Sequence, residues 1–106
     1  MMMIRNNSIY TLSLARRAGK LTVGFTASKQ AVLQNKAVAV VITKDASERT
    51  RRNILLIAGK IPCMDIPFTQ NDIESVMKRK FAVAAILSTD FLKLFLKALE
   101  EDMDVN

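Results

Sequence analysis

The stretch Ala37 to Ile42, AVAVVI, holds no polar residue and is rich in β-branched side chains. A strand with one wet face alternates polar and apolar positions, so a run without alternation reads as a strand covered on both faces. It is expected to be the central strand of a sheet with helices above and below. A second apolar run, Phe81 to Leu87, reads the same way, while Leu21 to Val23 and Pro62 to Ile66 are brief enough for short strands, the latter with Pro62 at its start.

Helical signals fall between these runs. Ile9, Leu12 and Ala15 recur at helical spacing after Asn6, Asn7 and Ser8, any of which can cap, and Arg16, Arg17 and Gly19 mark the end. Gly24 breaks the chain and Thr26 opens a second helix through Ala31, Val32 and Leu33 toward Asn35. Asp45 and Glu48 flank Ser47 in the manner of a capping box, opening a helix whose Ile54, Leu55, Ile57 and Ala58 face inward, with Arg49, Arg51 and Arg52 outward. Pro67 and Thr69 precede a short helix with Ile73, Val76 and Met77. Ser88 and Thr89 are caps for a final helix whose stripe is Leu92, Phe95, Leu96, Leu99 and Met103. Helix and strand alternate throughout, which predicts an α/β fold with about four strands sandwiched between helix layers. With 106 residues, half of them hydrophobic, the chain can fill one core, so residues 1–106 are expected to form a single domain.

The inventory for catalysis is thin. There is one cysteine, Cys63, and no histidine, which removes disulfide frameworks, histidine metal sites and histidine-activated nucleophiles. Cys63 lies among apolar neighbours and reads as an inert buried thiol; Asp45 and Glu48 have a capping role, and Asp72 and Glu74 belong to a solvated helix face. Gly19 and Gly24 complete neither nucleotide-binding glycine pattern. No catalytic residue, metal site or cofactor is expected, and the chain reads as a non-enzyme. A reducing, cytoplasmic setting fits the cysteine usage. No apolar run approaches the roughly 20 residues that span a bilayer, and the N-terminus lacks a signal peptide's basic-then-apolar order, so no membrane association is expected.

Charge is laid out unevenly. Residues 1–60 carry eleven Lys or Arg against two acids, and the remainder five against eight. One basic face meeting a polyanion is one reading, with Glu100, Glu101, Asp102 and Asp104 as an acidic end in solvent, and a basic balance made by solvated lysines alone is the other. The turn Val23 to Thr26 offers free helix-start amides beside Lys20 and Lys29, which suits phosphate oxygens; a plain β-to-α connection with surface lysines is the alternative.

The segment LARRAGKLTVGFTASKQAV, followed at fixed distance by AVAVVITKDAS, resembles the ribosomal proteins and relatives that bind RNA kink-turns, in particular their bacterial YlxQ-like branch. IPCMDIPF, the short helix after it and FAVAAIL with its closing helix also follow the family order, so the likeness covers nearly the whole chain and is strongest from Leu14 to Ser47. It implies a three-layer α/β/α sandwich with a mixed sheet, gripping a sharply bent RNA internal loop whose tandem G·A pairs are read by the turn and first residues of the second helix. The family's contact loop has Gly, then Asn and Glu, then Lys three residues on; these fall on Gly24, Thr26, Ala27 and Gln30, of which only the Gly matches. Ala27 can neither donate nor accept and Thr26 offers one hydroxyl, so base reading should be weaker. The family's second RNA-facing loop maps onto Lys78, Arg79, Lys80 and Phe81, where three cations favour phosphate contact.

The candidate RNA-binding residues are therefore Lys20, Gly24, Phe25, Thr26, Ala27, Lys29, Gln30, Lys44, Lys78, Arg79 and Lys80. The expected partner is structured RNA, ribosomal or another kink-turn RNA, with ribosomal proteins as further candidates and a monomer or weak dimer as the assembly. Phe91 and Leu94 add apolar surface beside the last helix's stripe, read as extra core packing or as the seed of that dimer. The alternative is a ribosome-assembly or protein-interaction module that keeps the fold and has lost specific kink-turn recognition.

Overall fold

The computed structural model describes residues 6–104. Five helices and four strands alternate: α1 (Asn7–Arg17), β1 (Leu21–Val23), α2 (Phe25–Leu33), β2 (Ala39–Ile42), α3 (Glu48–Ala58), β3 (Cys63–Asp65), α4 (Gln70–Met77), β4 (Val83–Ile86) and α5 (Thr89–Met103). The strands form one mixed sheet in the order β1-β4-β2-β3. The two non-alternating runs, β2 and β4, take the interior places and are buried at every residue.

Pleating sends successive side chains of these strands to opposite sides. Val41, Ala84 and Ile86 pack with Ile9 and Leu12 of α1, Ile73 and Met77 of α4 and Phe95 of α5. Val40, Ile42, Val83 and Ala85 pack with Ala31 and Val32 of α2 and Ile54 of α3. The result is a three-layer sandwich with α1, α4 and α5 on one face and α2 and α3 on the other.

Register fixes the ends of the sheet. Val23 and Ile42 pair with Ala84 and Val83, and Ile42 also pairs with Asp65. The last residues of β1, β2 and β3 therefore meet the first residues of β4 at one rim, which collects the Gly24 turn and the 43–47, 66–69 and 78–82 loops. α1 leaves its last turn through Gly19 at φ +74°, with Lys20 N–H bonding Ala15 C=O at 2.7 Å and Gly19 N–H bonding Arg16 C=O at 3.0 Å, and this delivers the chain into β1 at the opposite end.

Several local expectations change. Asn6 precedes α1 without a side-chain cap. The carboxylate of Asp102, from the last turn of α5, accepts from Asn7 N–H at 2.9 Å, Ser8 N–H at 2.7 Å and the Ser8 hydroxyl at 2.5 Å. Asp102 is fully buried rather than part of a solvated acidic end, because a carboxylate at a helix N-terminus satisfies orphan amides and the positive end of the dipole together. Ser47, not an Asp45–Glu48 box, caps α3 by accepting from Thr50 N–H, while Asp45 accepts from Gln70 N–H at the start of α4. Asp72 closes a capping box with Thr69 instead of merely facing solvent. α2 begins at Phe25 with Gly24 as its N-cap, one residue earlier than Thr26. Leu55, Leu96 and Met103 are exposed, since each helix touches the sheet along a narrower arc than its apolar stripe covers. Arg51 is half-buried against an Asp65 ion-pair partner rather than turned outward. Phe91 packs against the core, whereas Leu94 stays exposed.

Candidate nucleic-acid interface

Gly24 stands at φ +96° and ψ 160°, a region that side-chain-bearing residues rarely enter, and its N–H bonds Val83 C=O at 2.8 Å. That bond ties the start of α2 to the start of β4 and hence to the loop before it. Every other helix has a side chain at its N-terminus: Asp102 for α1, Ser47 for α3, Thr69 for α4 and Ser88 for α5. Among the described residues α2 alone has none, so the amides of Phe25, Thr26 and Ala27 are left without a protein acceptor. The first backbone bond of the helix is Ser28 N–H to Gly24 C=O.

The cationic turn lies on the same rim. α4 ends at Lys78, held in the left-handed region at φ 59°, and Lys78, Arg79 and Lys80 are all exposed. Lys78 Nζ donates to Ser75 C=O at 3.3 Å and Lys80 Nζ lies 4.0 Å from a Glu74 carboxylate oxygen, both weak surface contacts. Arg79 and Lys29 make no side-chain hydrogen bond or ion pair among the described residues. Phe81 is 3% exposed and belongs to the core, so no ring is offered for stacking at this turn.

Thr43 N–H bonds Ala82 C=O at 2.9 Å, which brings the β2–α3 loop beside the cationic turn, and exposed Lys44 follows on the side of α1 and α4. Lys44 shares a shallow cleft with Asn6, Ile9, Pro67, Phe68, Asp72 and Ser75. Phe25 is half-buried against the α2–α3 core, so it anchors the turn more than it faces outward. Thr26 and Lys29 are exposed. Ala27 and Gln30 line a groove with Thr22, Gln34, Lys36 and Leu87 that runs away from the rim along β1.

The structure thus brings together Gly24, Phe25, Thr26, Ala27, Lys44, Lys78, Arg79 and Lys80, with Lys29 and Gln30 about one turn further along α2. Lys20 stands apart: its carbonyl accepts from Leu87 N–H at the far end of β4, roughly 13 Å along the strand from Gly24 at about 3.3 Å per residue. Arg49 and Arg52, read from sequence only as outward arginines, lie in the first turns of a helix that starts at the rim. The helix start was readable from the sequence, but its place on the same rim as Gly24 follows only from the strand register.

Beyond the rim, chemistry is sparse. Burial first, and the Asp65 carboxylate second, push the half-buried Cys63 thiol above its ordinary value, which keeps it protonated near neutral pH. Among the described residues no cluster of three or more His, Cys, Asp or Glu is placed to hold a metal, and no helix is long and apolar enough to cross a membrane.

A compact α/β/α sandwich with an uncapped helix start and a cationic turn on one rim defines the class, and its relatives narrow it. No family model matches the chain. The chain is 28% identical over 91 residues to the RNA-binding protein YlxQ of Enterococcus faecium, covering 84% of this chain and 87% of that protein. Its fold matches that of a Bacillus halodurans protein of unknown function with a TM-score of 0.78 at 20% identity, covering 91% of this chain and 99% of the other. It also matches the Giardia lamblia 15.5kD RNA binding protein with a TM-score of 0.68 at 15% identity, covering 88% and 82%. The curated relative carries the name of the branch that the sequence resembles, and sequence and fold are together consistent with the YlxQ-like family.

Proposed function

We propose that the chain is a non-catalytic RNA-binding protein that recognises a kink-turn or similarly bent RNA in a ribosomal or ribosome-associated setting. The observation that carries this reading is the juxtaposition, locked by the Gly24–Val83 hydrogen bond, of the one uncapped helix start and the Lys78–Lys80 turn. Free amides at a helix N-terminus and exposed, weakly engaged cations on one rim suit crowded phosphates, and a bend in the RNA brings phosphates together in that way. The names of the Enterococcus faecium and Giardia lamblia proteins support RNA as the partner. Binding selects the bent conformer through contacts that the extended one cannot make, with no covalent step.

Thr26 and Ala27 favour a second reading, a ribosome-assembly or protein-interaction module without kink-turn specificity, because neither supplies the acceptor of a Glu or the paired donor and acceptor of an Asn. A gel-shift comparison of an intact kink-turn with one whose G·A pairs are changed to Watson–Crick pairs separates the two. Clear preference for the intact RNA supports recognition of the bend; equal binding supports the second reading.

A further inference from the structure

The two helix layers differ in charge in a way that recognition at the rim does not use. α2 and α3 carry four cations, Lys29, Arg49, Arg51 and Arg52, against the single acid Glu48. α1, α4 and α5 carry four cations, Arg16 and Arg17 at the end of α1 away from the rim and Lys93 and Lys97 on α5, against six acids, all on α4 and α5. Moreover, the acidic last turn of α5 comes up to the rim, since Asp102 seats itself on the first residues of α1 while Glu100 and Glu101 stay exposed. A polyanion leaving the rim is repelled on that side and attracted on the other.

Within α3 the arginines are not equivalent. Arg51 is engaged with Asp65 across to β3. Arg49 and Arg52, three residues apart on one helix face, are exposed, and neither has a side-chain hydrogen bond or ion pair among the described residues. Glu48, one turn before Arg52, makes no ion pair with it; its place is the helix start, where an acid suits the dipole. α3 begins at Ser47 on the rim and packs beside α2, so its first turns stand on the same side of the sheet as the Gly24 turn's helix.

We propose that Arg49 and Arg52 form a phosphate-binding shelf for a helical arm of the RNA, carrying it over the α2–α3 layer and away from α4 and α5. This rests on the RNA-binding reading above. Guanidinium groups contacting backbone oxygens hold the arm without reading its sequence.

The test measures binding of a kink-turn RNA with full-length arms and of one whose arms are cut to a few base pairs, over 50 to 200 mM salt. The proteins are the wild type, the Arg49→Gln/Arg52→Gln variant and, as a charge-matched control on the acidic layer, Lys93→Gln/Lys97→Gln. The shelf predicts that the arginine variant loses roughly ten- to hundred-fold affinity for the long-armed RNA at 100 mM salt, with the salt slope reduced by roughly 2. The lysine control should stay within about two-fold of wild type, and the arginine deficit should vanish on the short-armed RNA. Wild-type affinity and slope for the arginine variant on the long-armed RNA overturn the shelf and leave recognition at the rim standing, as does a deficit that is undiminished on short arms. Failure of the wild type to bind either RNA overturns the RNA reading itself. All four side chains are exposed, and matching thermal midpoints exclude a folding defect.

Discussion

At the scale of single residues, two backbone conformations shape the rim. Gly24 sits where only glycine is comfortable, and a Cβ there would meet no atom within 4 Å, so Gly24→Ala is penalised by its own backbone rather than by a clash. The expected loss is about 1–3 kcal/mol in denaturant unfolding, and the turn should open at the Gly24–Val83 bond, weakening RNA binding as well. Lys78 is the converse case, a cation held in the left-handed region at the end of α4. Lys78→Gly relieves that strain and should raise stability by about 1 kcal/mol while lowering RNA affinity, so thermal midpoint and binding move in opposite directions. If both fall, the side chain of Lys78 supports the fold rather than the interface. Gly24 and the three cations were legible in the sequence because a glycine after a short strand and a run of like charges are local signals. Phe81 carried two readings, the first residue of a covered apolar run and the last of the second RNA-facing loop, and its 3% exposure places it in the core.

At the scale of elements, strands were legible to within two or three residues and helix caps less so. β2 and β4 announce themselves by unbroken apolar runs, and the structure trims those runs only where pairing ends. Caps depend on which polar side chain reaches which amide, and Asp102 reaches Ser8 across 94 positions of sequence. Neither partner signals that from its own neighbourhood. This latch joins the last turn of α5 to the first of α1 and buries a carboxylate against three donors. Asp102→Ala removes the acceptor and strands the buried Ser8 hydroxyl, with an expected cost of about 2–3 kcal/mol in denaturant unfolding. Asp102→Asn, which keeps an oxygen acceptor, should cost less; equal losses would mean that the charge rather than the acceptor geometry carries the contact. Phe95, 1% exposed beneath the same helix, fills the α1–α5 core, and Phe95→Ala is expected to cost about 3–5 kcal/mol.

At the scale of the whole molecule, the fold gathers into one rim cations that lie far apart in sequence. β1, β2 and β3 all end where β4 begins, so Lys29, Lys44 and Lys78 to Lys80 share a neighbourhood that chain position conceals. Alternating helices and strands made the three layers legible; strand order and direction, which decide that the loops converge, required the register. Lys20, four residues before Gly24 in sequence, stands away from the rim because the length of β1 lies between them. If about five phosphates meet the rim, affinity should fall by roughly one to three decades between 50 and 200 mM salt, and salt-independent binding would contradict electrostatic docking. The central claim is that the rim binds RNA because the RNA is bent. A kink-turn RNA carrying a donor and an acceptor dye on its two arms, kept extended by omitting magnesium, tests this most directly. Adding the protein should raise energy transfer to the level of the folded kink, whereas a Lys78→Glu/Lys80→Glu variant should leave it low. Saturable binding of the wild-type protein with no change in energy transfer would show that the rim holds RNA by charge alone.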